Sequence, residues 1–334
     1  MKKSPLRAAA ALIATAALAL TACSNGGTTA TDPDTGGGAA SDGPYRIGIT
    51  QIVSHPSLDA AREGFKEALE EAGLDVEFDE QNAQDDQATA TSIATKFNTG
   101  NYDLVLAIAT PTAQASAQVI TDTPILFTAV TDPVAAELVD SNEAPGANVT
   151  GTTDMNPVAE QIQLIKKLKP EAQSVGVIYS SGEVNSAVQV ELAKEAAAEE
   201  GLEVVEKTIT TTGEVAQAVA TLETDAIYVP TDNKVVSGLA AVVQVTEQKQ
   251  IPLVVGEGDS VSQGGIMTVG IDYHLLGAQT GEMAVRILQD GADPATMPVE
   301  SQTEFITSVN PEAAQRMGVT IPEELMTGAT VVNS

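Results

Sequence analysis

From residue 44 onward the chain alternates short apolar runs with amphipathic stretches of helical spacing. Arg46-Ile-Gly-Ile-Thr50 has the pattern of a buried strand. Residues 57–72 form a helical pattern with Leu58, Ala61, Phe65, Ala68 and Leu69 on one face. A strand over 74–79, a helix over 85–98, a strand over 104–108, a helix over 112–119 and a strand over 125–129 follow. Past Pro157 the scheme begins again, with strands over 175–179, 204–208, 226–229 and 253–255 and helices over 184–200, 214–222 and 235–249. Strands this apolar, each followed by a helix, are covered on both faces. The pattern predicts an α/β fold with parallel sheets.

The restart is a duplication. Gly48 precedes Gly73 by 25 residues, as Gly176 precedes Gly201, and the two pairs are offset by 128. Glu70-Glu-Ala-Gly-Leu-Asp-Val-Glu77 answers Glu199-Glu-Gly-Leu-Glu-Val204, and Pro124-Ile-Leu126 answers Pro252-Leu-Val254. Two repeats of this length predict two Rossmann-like lobes rather than a solenoid. The stretch Asn148-Val-Thr-Gly-Thr-Thr-Asp-Met-Asn-Pro157 lies between them.

Before the folded body come a basic start with Lys2, Lys3 and Arg7 and an alanine-rich apolar run over 8–20. That run is too short to span a bilayer and has the length of a signal-peptide core. Leu20-Thr-Ala-Cys23 resembles the lipobox of bacterial lipoproteins, which implies a signal peptide over 1–22 and lipid on Cys23. Cys23 is the chain's single cysteine, so an intrachain disulfide, a thiolate metal cluster and a cysteine nucleophile are excluded. Residues 23–43 carry no large apolar side chain and read as a flexible tether.

The formal net charge is −30, and loss of the three basic residues with the signal takes it to −33. No basic stripe opposes this charge, so nucleic acid is excluded as a partner. With two histidines, His55 and His274, and no cysteine in the body, no metal centre or cofactor is expected. His55 lies beside Ser54 and Ser57, but no Gly-x-Ser-x-Gly elbow accompanies them, and catalysis is not expected.

In open parallel sheets ligands bind beyond the carboxyl ends of the strands. There the loops are polar, and the candidates are Gln51 and His55, Thr110 and Thr112, Phe127 and Asp132, Ser181 and Asn185, Asp232 and Asn233, and Glu257. Taken singly, Thr110, Asp132, Ser181 and Asp232 read first as helix caps, and it is six such loops at equivalent edges that point to a site.

Taken together, the motifs resemble the substrate-binding lipoproteins of ABC importers, within the family that includes tryptophan- and tyrosine-binding members. The stretches that carry the likeness are Ile47-Gly-Ile-Thr-Gln51, His55-Pro-Ser-Leu-Asp59, Ala109-Thr-Pro-Thr-Ala-Gln-Ala115, Phe127-Thr-Ala-Val-Thr-Asp-Pro133, Asn148-Val-Thr-Gly151 and Gly264-Gly-Ile-Met-Thr-Val-Gly-Ile-Asp-Tyr273. It implies the type I periplasmic-binding-protein fold with three hinge crossings, near Asp154, Asp272 and Pro298. The N-terminal lobe would hold 44–154 and 272–297, and the C-terminal lobe 155–271 and 298–332. It implies a monomer, exported and lipid-anchored, that closes on a small solute and delivers it to a membrane permease.

The expected ligand is an amino acid, an aromatic one in the narrower reading, with a nucleoside or sugar, or a sensory role, as the other readings. For an amino acid, the helix starts at 110–112 and 180–181 would hold the carboxylate. Asp272 first and Asp154 second would take the ammonium, with Asp232 and Glu257 also in range. Phe127, Tyr179 and Tyr273 would supply a flat wall.

Overall fold

The structure, a computed structural model, describes residues 43–333. The expected signal peptide, Cys23 and the expected tether up to residue 42 lie outside the described residues. Among those described, no helix is long and apolar enough to cross a membrane.

The first lobe runs β1 (Tyr45–Gln51), α1 (Pro56–Glu71), β2 (Val76–Asn82), α2 (Gln87–Thr99), β3 (Leu104–Ile108), α3 (Thr110–Val119), β4 (Ile125–Val130) and β5 (Val149–Thr153). The chain then enters the second lobe with α4 (Val158–Leu168), β6 (Ser174–Ser180), α5 (Val184–Glu199), β7 (Glu203–Ile209), α6 (Val215–Ala220) and β8 (Ala226–Val229). It continues through α7 (Asn233–Ser237), α8 (Leu239–Lys249), β9 (Leu253–Val255), α9 (Gly258–Ser262) and β10 (Met267–Gly270). It returns to the first lobe for α10 (Tyr273–Asp290) and β11 (Glu300–Ser301), then ends in the second with β12 (Ile306–Val309), α11 (Pro311–Arg316), α12 (Glu323–Met326) and β13 (Thr330–Val331).

The first sheet has the order β11-β5-β4-β3-β1-β2 and is parallel throughout. The second has the order β13-β12-β10-β9-β8-β6-β7, with the β10–β12 pairing antiparallel and the others parallel. Each lobe encloses its own apolar core. The fold class read from the sequence is the one observed.

The glycine repeat has a local cause. Gly73 and Gly201 follow α1 and α5 with φ of 73° and 68°, a left-handed conformation that glycine adopts without strain. In both, the next residue donates back across the helix end, Leu74 N to Leu69 O at 3.1 Å and Leu202 N to Ala197 O at 2.8 Å. The helix terminator thus takes Leu74, and strand β2 starts at Val76 rather than at 74. The stretch expected as one helix over 235–249 is two, divided at Gly238, where a Cβ would come within 3.0 Å of Val215. Helix α4 carries no counterpart in the sequence reading.

Three crossings join the lobes, and amide side chains stitch them together. Asn156 on the first accepts from Ile271 N on the second at 3.0 Å and donates to Asp154 O at 3.0 Å. Gln302 on the third donates to Asp272 O at 2.7 Å and accepts from Asp272 N at 3.2 Å. Since β11 pairs with β5, the chain leaves the first lobe after Ser301, slightly later than the crossing expected near Pro298.

Helices α1 and α10 pack at backbone contact. A Cβ on Gly277 would sit 1.9 Å from Ala61 O, and one on Gly64 would sit 2.0 Å from His274 O. This contact fixes the start of α10, and with it Tyr273, against the first lobe. Gly277→Ala should therefore lower stability by at least the ~1–3 kcal/mol typical of overpacking, read as a fall in the thermal midpoint. Glu282→Ala on the exposed side of α10 should stay within ~0.5 kcal/mol. Equal midpoints for the two variants would show that the helices separate freely.

Candidate functional site

Beyond the carboxyl ends of both sheets the two lobes line a narrow cavity of about 20 Å³. The first lobe contributes His55, Ser57 and Leu58 from the start of α1, Ala129 and Thr131 from the end of β4, and Asp154 and Tyr273 from the hinge. The second contributes Asn185, Thr231, Asn233, Val236 and Glu257. A break in register between Phe127 and Val130 shapes the first wall. Ala129 takes φ of 56° there, uncommon for a residue with a Cβ, and the bulge turns it and Thr131 toward the cavity.

Asp154 accepts from Thr131 Oγ1 at 2.9 Å on one oxygen and from Tyr273 OH at 2.7 Å on the other. Glu257 caps α9, accepting from Ser260 N at 3.0 Å and from the Ser260 hydroxyl. Behind the second wall, Glu183 Oε2 accepts from Asn185 Nδ2 at 3.0 Å and Asn233 Nδ2 at 2.7 Å. Those bonds fix how both amides sit and leave Asn185 Oδ1 buried without a partner. His55 Nδ1 and Ser57 Oγ are buried and unpartnered as well. Ser57 Oγ lies near Glu257 and Asp259 without making a hydrogen bond of good geometry to either. An unmet polar group in a dry site is costly. Three of them around one cavity describe a surface shaped for a polar ligand.

His55, Asp154, Asn185, Asn233, Glu257 and Tyr273 are thus brought together as the sequence suggested. The other candidates do not line the cavity. Gln51 braces the loop after β1, donating to Val53 O and Asp59 Oδ1 at 2.8 Å. Thr112 bonds back to Ile108 O at 2.6 Å, and Thr110 is buried beside it at the start of α3. Phe127 is wholly in the core. Asp132 closes a turn by accepting from Ala135 N at 2.9 Å. Ser181 is exposed.

Asp232 is used up as an acceptor, holding Ser180 N and Ser186 Oγ at 2.6 Å and Val235 N at 2.8 Å. Asp272 caps α10 through Leu275 N at 3.1 Å and faces a surface groove beside Asp259 and Ile306. Tyr179, expected as a wall, bonds Glu206 at 2.8 Å on the outer side. Ser57, Leu58, Ala129, Thr131, Thr231 and Val236 were missed. Thr131 and Thr231 each sit next to a charged residue that drew attention away from them, and Leu58 and Val236 look like core positions.

Residues 46–333 match the family described as ABC transporter substrate binding protein. The chain belongs to that family. It is 44% identical over 277 residues to the tyrosine-binding protein of Clostridioides difficile (strain R20291), covering 81% of this chain and 80% of the relative. A Streptococcus pneumonia ABC domain solved in complex with L-Trp is 39% identical, with a TM-score of 0.83 over 86% of this chain and 99% of that one. A ligand-free, open substrate-binding protein with adhesive properties from Clostridium difficile is 43% identical over 87% and 99% of the two chains, yet its TM-score is 0.66. The more identical structure is the less similar in shape. In this substrate-binding protein the lobes are in contact across the cleft, with Asp85 Oδ2 3.5 Å from Thr212 Oγ1. Its family binds solutes and is not one of enzymes.

The electrostatics of this binding protein follow from burial. Desolvation pushes Glu257 up to about 7, helped by the nearby Asp259 charge. Desolvation and then Asp232 push Glu183 up to about 8. Asp154 is raised too, since burial outweighs the bonds from Tyr273 and Thr131. Burial lowers His55 to about 4, so its ring is neutral at ordinary pH.

The raised acids hold protons more tightly in the fold than in the unfolded chain. Their contribution to stability is full below about pH 4.5 and is lost as pH climbs through 7 for Glu257 and 8 for Glu183. His55 acts oppositely, its contribution being lost as pH falls from 6.5 toward 4. Above pH 6.5 the acids govern. The ligand-free protein should lose stability between pH 6.5 and 8, and Glu183→Gln should flatten that loss by up to ~2 kcal/mol, measured by denaturant unfolding across the window. A slope unchanged by the substitution would contradict the assignment to Glu183.

Proposed function

We propose that this chain is the receptor of an ABC importer, exported and held at the outer face of the membrane by lipid on Cys23, and that it captures an α-amino acid with a preference for aromatic side chains. The observation that carries the ligand reading is the pairing of buried acids with unpartnered neutral polar atoms around one enclosed cavity. No lysine or arginine lines that cavity, so a ligand of net negative charge would find no counter-ion. An ammonium suits Asp154, with Glu257 close by on the opposite lobe. The amide and hydroxyl groups at the N-termini of α1 and α5, including Ser57, suit a carboxylate. Tyr273, the neutral His55 ring, Leu58 and Val236 provide the less polar surface for a side chain.

The tyrosine-binding relative and the L-Trp complex support an aromatic amino acid over a sugar or nucleoside. Asp154 replaces Asp272 as the first ammonium partner, because Asp272 is committed to the cap of α10.

Calorimetric titration with L-tyrosine, L-tryptophan, nucleosides and sugars tests this directly. An aromatic amino acid should bind most tightly. Asp154→Asn should weaken it by ~2–5 kcal/mol, the loss expected when a desolvated charge pair is broken, while Asp272→Asn should leave affinity nearly unchanged. Binding of a sugar or nucleoside in its place, or an Asp154→Asn variant of full affinity, would sink the ligand assignment. Attachment has its own test. Cys23→Ala should release the protein from the membrane fraction with ligand affinity intact, and membrane-free protein from the unaltered chain would refute lipid anchoring.

A further inference from the structure

The loop between β2 and α2 is held in an unusual conformation. Gln84 and Asp85 are consecutive residues with φ of 55° and 63°, a region that side chains other than glycine seldom enter. Asp85 N donates to Ile52 O at 2.7 Å and Gln84 N to Asn82 Oδ1 at 2.7 Å, which keeps the turn in place. The result carries the Asp85 carboxylate to the other lobe. There Oδ1 pairs with Lys234 Nζ, and Oδ2 stands 3.5 Å from Thr212 Oγ1.

Asp85 and Lys234 side chains are only 19% and 15% exposed. Among the described residues no other ion pair runs from one lobe to the other. Neither residue lines the cavity, although Lys234 directly follows Asn233, which does.

Lys234 has a second acid on its own lobe, Glu183 Oε1 at 3.9 Å. Burial and the Asp232 charge push Glu183 up to about 8, so near neutral pH it is mostly the uncharged acid. Asp85 is the closer of the two carboxylates to Lys234, and opening the cleft takes it away. A half-buried pair of this kind is screened far less than a surface one.

We infer that Asp85 and Lys234 form a latch between the lobes that stabilises their closed arrangement and slows ligand release. The inference rests on the proposed capture of a ligand between the two lobes. Capture begins from the open form, where the two residues are apart. The latch therefore acts on departure and hardly on encounter.

Asp85→Asn removes the charge with a residue that tolerates the left-handed turn. In stopped-flow measurements with L-tyrosine its off-rate should rise about 5- to 30-fold with the on-rate little changed, between the effects of exposed and buried charge pairs. Lys234→Gln should do the same, and the double variant should be no worse than either single one. Off-rates that stay unchanged, or single effects that add, would overturn the latch. A second readout follows the lysine itself. With L-tyrosine saturating, Lys234 in the unaltered protein should be acylated several-fold more slowly than in Asp85→Asn, and equal labelling would overturn the latch too. If L-tyrosine does not bind the unaltered protein, the ligand reading fails, and the same two measurements with the tightest binder among the titrated solutes decide the latch.

Discussion

Burial of polar atoms without partners governs this molecule. When the two lobes meet, Asp154 and Glu257 are taken out of water, and His55 Nδ1, Ser57 Oγ and Asn185 Oδ1 are left without hydrogen bonds. Closing on nothing is therefore expensive, and closing on a ligand that supplies the missing donors and acceptors is not. The rest of the architecture serves that choice. The sheets bring their carboxyl ends to one cleft, the β4 bulge aims Thr131 at Asp154, and Glu183 fixes the Asn185 and Asn233 amides from behind. The acids rise toward neutrality because the site is dry, which lessens the cost of an empty closed state without removing it.

The hinge lets the same groups return to water. Its crossings are joined by the side chains of Asn156 and Gln302, which bond backbone to backbone across the hinge without filling it with a core. Tyr273 belongs to both systems. It begins α10, locked against α1 by glycine contacts, and its hydroxyl bonds Asp154 beneath the cavity. Movement of the second lobe is thus referred to a fixed point on the first.

Local rules in the sequence were enough for the α/β class and for most strands and helices of the two lobes. Alternating apolar runs marked the strands, and the repeated Gly73 and Gly201 are the same left-handed helix terminator in both lobes. Of the loop residues singled out in the sequence, His55, Asn185 and Asn233 reach the cavity, the two amides while also donating to Glu183. The site was misread where a side chain was already engaged elsewhere. Asp232 and Asp272 look like ligand carboxylates in sequence but are spent on helix caps, and Phe127 is the interior of a strand buried on both faces. Glu257 shows the opposite case, capping α9 while still lining the cavity. Stitching by Asn156 and Gln302, and the turn at Ala129, depend on contacts between distant segments, which no periodicity encodes.

Small-angle scattering with and without saturating L-tyrosine tests the dependence of closure on ligand most directly. The ligand-free protein should sample open lobes, because its cavity groups are better hydrated there, and saturation should shrink the radius of gyration. Superimposable profiles would mean that the lobes close without a ligand to satisfy their buried polar atoms, and would contradict the coupling of capture to closure.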